Sequence, residues 1–544
     1  MKNLKFLALT LLLASFGHAQ TMNDAIKKTD NELYEAATAD FKQLITKEPA
    51  NSKLYFYYGE NLFLQDNENL ELAHEQWQKG LSIDPACQLN TVGLGKYQWY
   101  KGDTTAGRVY FNKALTASKN KNAEVMRQIA SVLTNAPKKD LKGAISLLDK
   151  AIKIDPNNIE NHLIMGDALL FLTPANGSPA IKSYNTARGL DPKSAKALVR
   201  TAQLYERARN YQLANEKYME AQTLDPTYAP AYRLNGDLNL LFDQSKAAID
   251  NYTKYLQLNN STEARYRYAQ ALFKGKRYCE ATTELEGLEA KGFTNFYTKR
   301  MLGYSVYECN DAGTKTPENY KKAMTYLDAF FATAPAERII GTDYSKKGLI
   351  LSRMGNDSLA LIELQKGADL DTANAGLVYA DMAKIYSKKQ NYAKVIEIYQ
   401  KKAKGDYKKL TAAENFDLGK AFYFGPMNYV EADSAFARLT RQSPTYAAGY
   451  LWRARSSFKL EDPKNNMWLS KTPYEQYLAA LKPEEKSNPA YASTIIESSK
   501  YLGDYYVRST GKDLVKAKEY WGAVRTLDPN DSQAKAFFAS PAGK

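Results

Sequence analysis

Residues 195–260 carry the same pattern twice. Pro192, Pro226 and Asn260 are 34 residues apart in succession. In the second copy Tyr232, Gly236 and Asn239 fall at helical spacing; Phe242-Asp243-Gln244-Ser245 break the run, and Ala248, Tyr252 and Tyr255 resume it. Glycine inside a helix costs ~1 kcal/mol relative to alanine, so Gly236 calls for a packing reason. The expectation is close approach of the second helix, with small Ala248 facing the glycine. The first copy has Ala202 in the glycine's place, then Ala214, Tyr218, Ala221 and Asp225-Pro226. A two-helix unit of this size cannot bury its apolar face alone, so it must stack on neighbours like itself.

A small residue, then Ala, an aromatic four residues later, Ala three further on and Pro five beyond that resembles the tetratricopeptide repeat. The small residues let the helices cross closely, the aromatic fills the gap, and proline stops the second helix. The pattern runs through the chain in register. Ala37, Phe41 and Pro49 mark a first unit whose opening helix begins close to residue 20. Gly59 with Trp77, Gly95 with Phe111, Ala130 with Leu148, and Gly166 with Tyr184 mark the next four. Beyond Asn260 come Ala269 with Leu285, Gly303 with Leu327, Gly348 with Leu364, Tyr386 with Tyr399, Gly419 with Phe436, Ala454 with Tyr477, and Gly503 with Trp521. Residues 310–317 read as an insertion in the ninth unit and 462–473 as a long one in the thirteenth. The count is about fourteen.

The resemblance implies an all-α, right-handed superhelical solenoid of stacked antiparallel helix pairs over residues 20–529. A hinge between two halves is expected near 292–317. Residues 530–544 supply a capping helix with Phe537 and Phe538 turned inward, because a terminal repeat otherwise exposes its core face. Most of the 40 tyrosines are then packing residues. First helices line a concave groove, where the family pattern places Arg233, Asp237 and Leu240; Tyr266, Gln270 and Phe273; Arg300, Tyr304 and Tyr307; Phe416, Lys420 and Tyr423; and Leu451, Arg455 and Phe458. Arginine beside tyrosine suits a protein or peptide segment, since Arg pairs with carboxylates and Tyr gives rigid amphipathic contact. The alternative is that these side chains make contacts between helices. Met467 and Trp468, an apolar pair in the 462–473 loop, form either a docking knob or a plug folded onto the adjacent helices.

Residues 1–19 combine Lys2 and Lys5, the apolar run 6–16 and Gly17-His18-Ala19, the layout of a secretory signal peptide. With Lys2 and Lys5 removed the net charge falls from +14 to +12; the excess is scattered, densest over 96–153 and 384–420. A basic face of this kind offers an alternative reading, a module for anionic envelope polymer or lipid. No nucleic-acid-binding motif is present. Three cysteines, Cys87, Cys279 and Cys309, make no disulfide framework, although Cys279 and Cys309 lie in adjacent repeats and an oxidising compartment permits them to pair. His74 and His162 stand in separate repeats without metal-ligand spacing. Neither a nucleophile elbow nor a phosphate loop occurs, so no catalytic site, metal or cofactor is expected. The sequence points to a non-enzymatic, exported scaffold, periplasmic or associated with the outer membrane or cell wall, that binds a protein or peptide partner.

Overall fold

The computed structural model describes residues 21–65, 69–173, 177–462, 465 and 467–544; the signal peptide read at 1–19 lies outside them. Among the described residues every regular element is helical. The chain divides into two compact units, residues 1–294 and 295–544. The first holds eight helical hairpins, from Met22–Asp30 with Tyr34–Lys47 to Thr262–Lys274 with Tyr278–Ala290. The second holds six, from Phe296–Ala312 with Pro317–Thr333 to Pro489–Arg508 with Leu514–Leu527, together with the short helix Pro483–Lys486 and the terminal helix Ser532–Ala539. In both units each helix packs chiefly on its sequence neighbours, which is the nearest-neighbour architecture of repeat proteins.

The repeat pattern builds this packing one ring at a time. A Cβ placed on Gly236 would lie 2.9 Å from Tyr252 Cζ. The residue facing the glycine is therefore the tyrosine of the second helix, not Ala248 as the spacing suggested. Ala248 is fully buried, but the atoms nearest the glycine belong to Tyr252. A side chain of the second helix laid this close across the first leaves no room for a Cβ, and leucine does the same at Gly303 and Gly348, in each case 2.7 Å from where the glycine's Cβ would lie. Gly59 under Trp77 and Gly166 under Tyr184 repeat the arrangement, at 2.3 and 2.2 Å. Tyr184, Tyr218, Tyr252 and Tyr399 are all essentially inaccessible to solvent.

Two expected irregularities resolve differently. The 310–317 insertion is absorbed by lengthening both helices of its hairpin to 17 residues. Buried Asn310 ties the turn, donating to the Thr316 carbonyl (2.9 Å) and accepting from its N–H (2.8 Å). At the C-terminus Phe537 is buried and stacks on Trp521, ring centres 5.7 Å apart. Phe538 is only half-buried, under the Arg525 guanidinium at 4.0 Å; adjacent helix residues cannot both face one core.

The first hairpin touches more than its neighbours. Its turn brings the Glu32 carboxylate onto Arg233, whose Nε and Nη2 donate at 2.8 and 2.7 Å. Tyr255 Oη donates to the same carboxylate (2.9 Å), and Asn259 Nδ2 donates to the Glu32 carbonyl (2.9 Å). Lys196 reaches Asp30 at 3.1 Å. The first unit therefore closes on itself, its first hairpin held against the helices of the sixth and seventh.

Candidate functional site: the inner wall of the hairpins

The first helices carry a ladder of ion pairs between successive hairpins. Lys96 joins Glu60 (2.7 Å), Lys196 joins Glu160 (2.8 Å), and Arg267 joins Asp237 (3.2 Å). In the second unit Arg353 joins Asp311 at 2.6 Å, and Lys346 joins Glu308. Each link lies about one repeat apart, so the sequence period sets the charge period. The packing tyrosines feed the same ladder. Tyr184 Oη donates to Asp167 (2.7 Å) and Tyr252 Oη to Asp237 (2.5 Å), the aspartate in each case following the glycine under the ring. Burial and the facing carboxylate together push both phenols well above their ordinary range.

Most residues expected to line a groove are held in this ladder. Arg233 is bound by Glu32 and by Asp237 at 3.2 Å. Tyr266 packs on Phe293, ring centres 5.1 Å apart, and Gln270 is half-buried. Arg300 Nε (2.6 Å) and Tyr304 Oη (2.7 Å) both meet the fully buried Asp343. Tyr307 is buried, and the Lys346 ammonium lies over its ring at 4.9 Å. Lys420 stands over Phe416 (5.3 Å) and Trp452 (5.8 Å). Lys96, in the basic stretch read from sequence, is itself buried and lies 3.8 Å from the Phe63 ring centre.

Two cavities open along these walls. In the first unit a space of about 390 Å³ is lined by Ile26, Tyr57, Lys96, Arg127, Glu160 and Arg200, among others. Its charges are largely cancelled by the ladder. In the second unit a space of about 640 Å³ is lined by Tyr423, Arg455, Phe458, Trp468, Tyr501 and Arg508, among others. This second recess brings together the expected groove residues Tyr423, Arg455 and Phe458 with Trp468 of the loop. Trp468 folds back edge-on against Tyr501 (5.7 Å) and Tyr505 (5.6 Å), while Met467 stays exposed. Arg455 is matched by Glu497 through two hydrogen bonds, 3.0 and 2.7 Å. Phe458 is 50% exposed.

The Pro489–Arg508 helix supplies much of the remaining wall: Glu497, Lys500, Tyr501, Asp504 and Arg508. Sequence reading did not single these out, although the inward positions counted from Gly503 would have given Lys500 and Asp504. Burial raises the Asp504 carboxyl above its usual range, with Arg508 Nε 3.3 Å away opposing the rise. Elsewhere His74 stacks on Tyr97 at 3.8 Å, and burial lowers its pKa. His162 Nε2 meets the Pro156 carbonyl, and Cys87 is a buried free thiol. Among the described residues no group of three His, Cys, Asp or Glu side chains is placed to hold a metal ion, and no helix is long and apolar enough to cross a membrane.

Comparison with known proteins matches this geometry to a family. The model of the tetratricopeptide repeat fits residues 178–229. Over 217 residues the chain is 26% identical to the DnaJ homolog subfamily C member 7 homolog of Dictyostelium discoideum, which covers 40% of this chain and 34% of that protein. It is 24% identical over 213 residues to the human mitochondrial import receptor subunit TOM70, 38% of this chain and 34% of that one. The matches thus span about a third of the length of either curated relative. Among solved structures, the C-terminal part of a TPR repeat-containing protein from Cytophaga hutchinsonii shares 29% identity, covering 50% of this chain and 98% of that one with a TM-score of 0.41. Residues 178–229 are tetratricopeptide repeat sequence, and the same hairpin, with a small residue packed under a larger side chain of its second helix, recurs in both units.

Proposed function

We propose that this chain is a non-enzymatic scaffold that seats a protein or peptide segment on the inner wall of its second unit, and that it acts after export, in the periplasm or against the outer membrane. One observation carries the choice of site. Along the hairpins Arg233 and Arg300 are matched by carboxylates and Lys420 stands over aromatic rings; the recess around Phe458, where Arg455 is matched too, keeps an open volume of about 640 Å³ and a half-exposed ring. Concave, mostly apolar spaces with a few fixed polar groups are where proteins hold ligands. Export rests on the charged, apolar and small-residue layout of residues 1–19.

Four measurements test the proposal. A photo-crosslinking side chain at position 458, in the native host, should trap one discrete partner that the same group at exposed Val515 does not trap. Equal trapping from both positions would remove the recess as the site. Salt-sensitive co-sedimentation with anionic lipid or wall polymer, with no protein trapped, would favour a basic surface-binding module instead. For export, the N-terminus of the protein isolated from its host should begin after Ala19. The thiol state of Cys279 and Cys309 gives an independent reading of the compartment.

A further inference from the structure

The recess of the second unit also has a chemical preference, an inference that rests on the scaffold reading just given. Its tyrosine hydroxyls are turned to other work: Tyr501 Oη donates to Glu461 (2.6 Å) and Tyr474 Oη to Glu497 (2.9 Å). What these residues offer an occupant is therefore ring carbon. Phe458 and Tyr501 lie edge to face at 6.0 Å, and Trp468 meets the same tyrosine at 5.7 Å. The three rings make an apolar cleft whose geometry suits a fourth, since aromatic pairs favour centre spacings of about 4.5–7 Å.

The charges around the cleft are unequal in availability. Glu497 is engaged by Arg455 and Tyr474, and Glu461 accepts from Tyr501 and the Ser470 N–H through Oε1 alone, its Oε2 lying buried without a donor among the described residues. Lys459 is exposed and lines the recess. Arg508 is 68% exposed along its side chain and reaches only Asp504, one helical turn away on its own helix. The recess wall also includes Trp521, 5% exposed, whose Nε1–H finds no acceptor among the described residues. At the same repeat position Trp77 Nε1 donates to the Phe56 carbonyl at 3.2 Å. Buried donors are rarely left unmatched, but this one packs against Gly503 of its own hairpin and is no part of what the cleft offers.

We propose that the recess binds an aromatic side chain presented by an acidic partner segment, the ring entering between Phe458, Trp468 and Tyr501 and the flanking carboxylates meeting Lys459 and Arg508. A sugar chain fits less well, because stacking on one face must be joined by a fan of unengaged hydrogen-bonding groups, and here the hydroxyls and two of the carboxylates are already engaged.

The test uses the protein purified from its host and a fluorescent peptide, Gly-Glu-Asp-Phe-Asp-Glu-Gly, followed by anisotropy. The peptide should bind, and its affinity should fall roughly tenfold or more when its phenylalanine becomes alanine, as for a central aromatic anchor. Phe458→Ser should cause a similar loss. Lys459→Glu combined with Arg508→Glu should weaken binding and abolish the salt dependence seen between about 0.05 and 0.5 M. Both surfaces are exposed, and unchanged circular dichroism shows that the variants remain folded. Equal binding of a lysine-flanked peptide, indifference to Phe458→Ser, or Phe458-dependent binding of an uncharged oligosaccharide would each overturn the proposal. With the crosslinking group moved to the exposed neighbour Lys459, if Phe458→Ser abolishes trapping of the native partner while the acidic peptide fails to bind, the aromatic-acidic chemistry is wrong and the scaffold reading survives. If trapping ignores Phe458→Ser, the site itself is wrong.

Discussion

Replacing Glu32 by alanine removes the carboxylate contacts that help close the first unit, leaving Asn259 on the Glu32 carbonyl and Lys196 on Asp30. Glu32 and Arg233 are 201 residues apart in sequence, so the pair fixes the path of seven hairpins rather than one. Three charge-assisted hydrogen bonds vanish, two from Arg233 and one from Tyr255. The side chains of the ion pair are 15% and 21% exposed. An exposed pair is worth about 0.2–1 kcal/mol, while breaking a buried one costs about 3–5 kcal/mol. Arg233 would keep Asp237 at 3.2 Å, so its charge would not be orphaned. The expected cost is about 2 kcal/mol. Global melting is a poor readout, because arrays of repeats open locally and not as one transition. Amide exchange is better: protection in Met22–Asp30 and Ala229–Leu241 should fall by about 30-fold, the equivalent of 2 kcal/mol, with the second unit unaffected. A double-mutant cycle with Arg233→Ala should return a coupling of about 1–2 kcal/mol. Coupling below about 0.3 kcal/mol, the limit of additivity for unconnected sites, would refute this account of the closure.

Three further outcomes follow from the packing. Gly166→Ala drives a methyl to 2.2 Å from Tyr184 Cε1, so it should destabilise the fifth hairpin by about 1–3 kcal/mol, against the gain of about 1 kcal/mol that alanine brings to an exposed helix; urea unfolding of the first unit measures the sign. Asp343→Ala leaves Arg300 and Tyr304 without their shared buried partner and removes the acceptor of the Ile340 N–H (2.8 Å), which should cost about 3–5 kcal/mol and expose 341–353 to proteolysis. Raised tyrosine pKa values carry a sign. Phenols such as Tyr184 and Tyr252 are neutral in the fold and shifted upward, so their stabilisation is complete below the unfolded value near 10 and is lost as pH rises beyond it. Absorbance at 295 nm should show the buried tyrosines titrating only together with unfolding, with Tyr100 and Tyr228, pushed up to about 12, leading if the fold survives that far.

The repeat was legible because its cause is local. Gly236, Ala248, Tyr252 and the break between the helices lie within one hairpin, and each hairpin meets chiefly its neighbours. The identity of the ring over Gly236 was not legible, since spacing places Ala248 and Tyr252 on one face and cannot say which reaches across. Trp468 shows the same limit: its loop is polar, and only the position of Tyr501 and Tyr505 decides that it folds inward. The recess was half visible, through Tyr423, Arg455 and Phe458, because groove positions follow the period. The contribution of the Pro489–Arg508 helix lay within reach of the same counting.

Sequence alone determined that this protein is a stack of helical hairpins, since small residues, rings and prolines recur at the period that two short helices require. Tertiary structure alone decided which inner-wall charges remain available. The partner of Arg233 is a glutamate 201 residues earlier, and that of Arg455 a glutamate 42 residues later. The Arg233 pairing depends on the accumulated rotation of many hairpins, a sum of small angles that no residue pattern within one repeat records, and the Arg455 pairing on how the 462–473 loop seats the next hairpin.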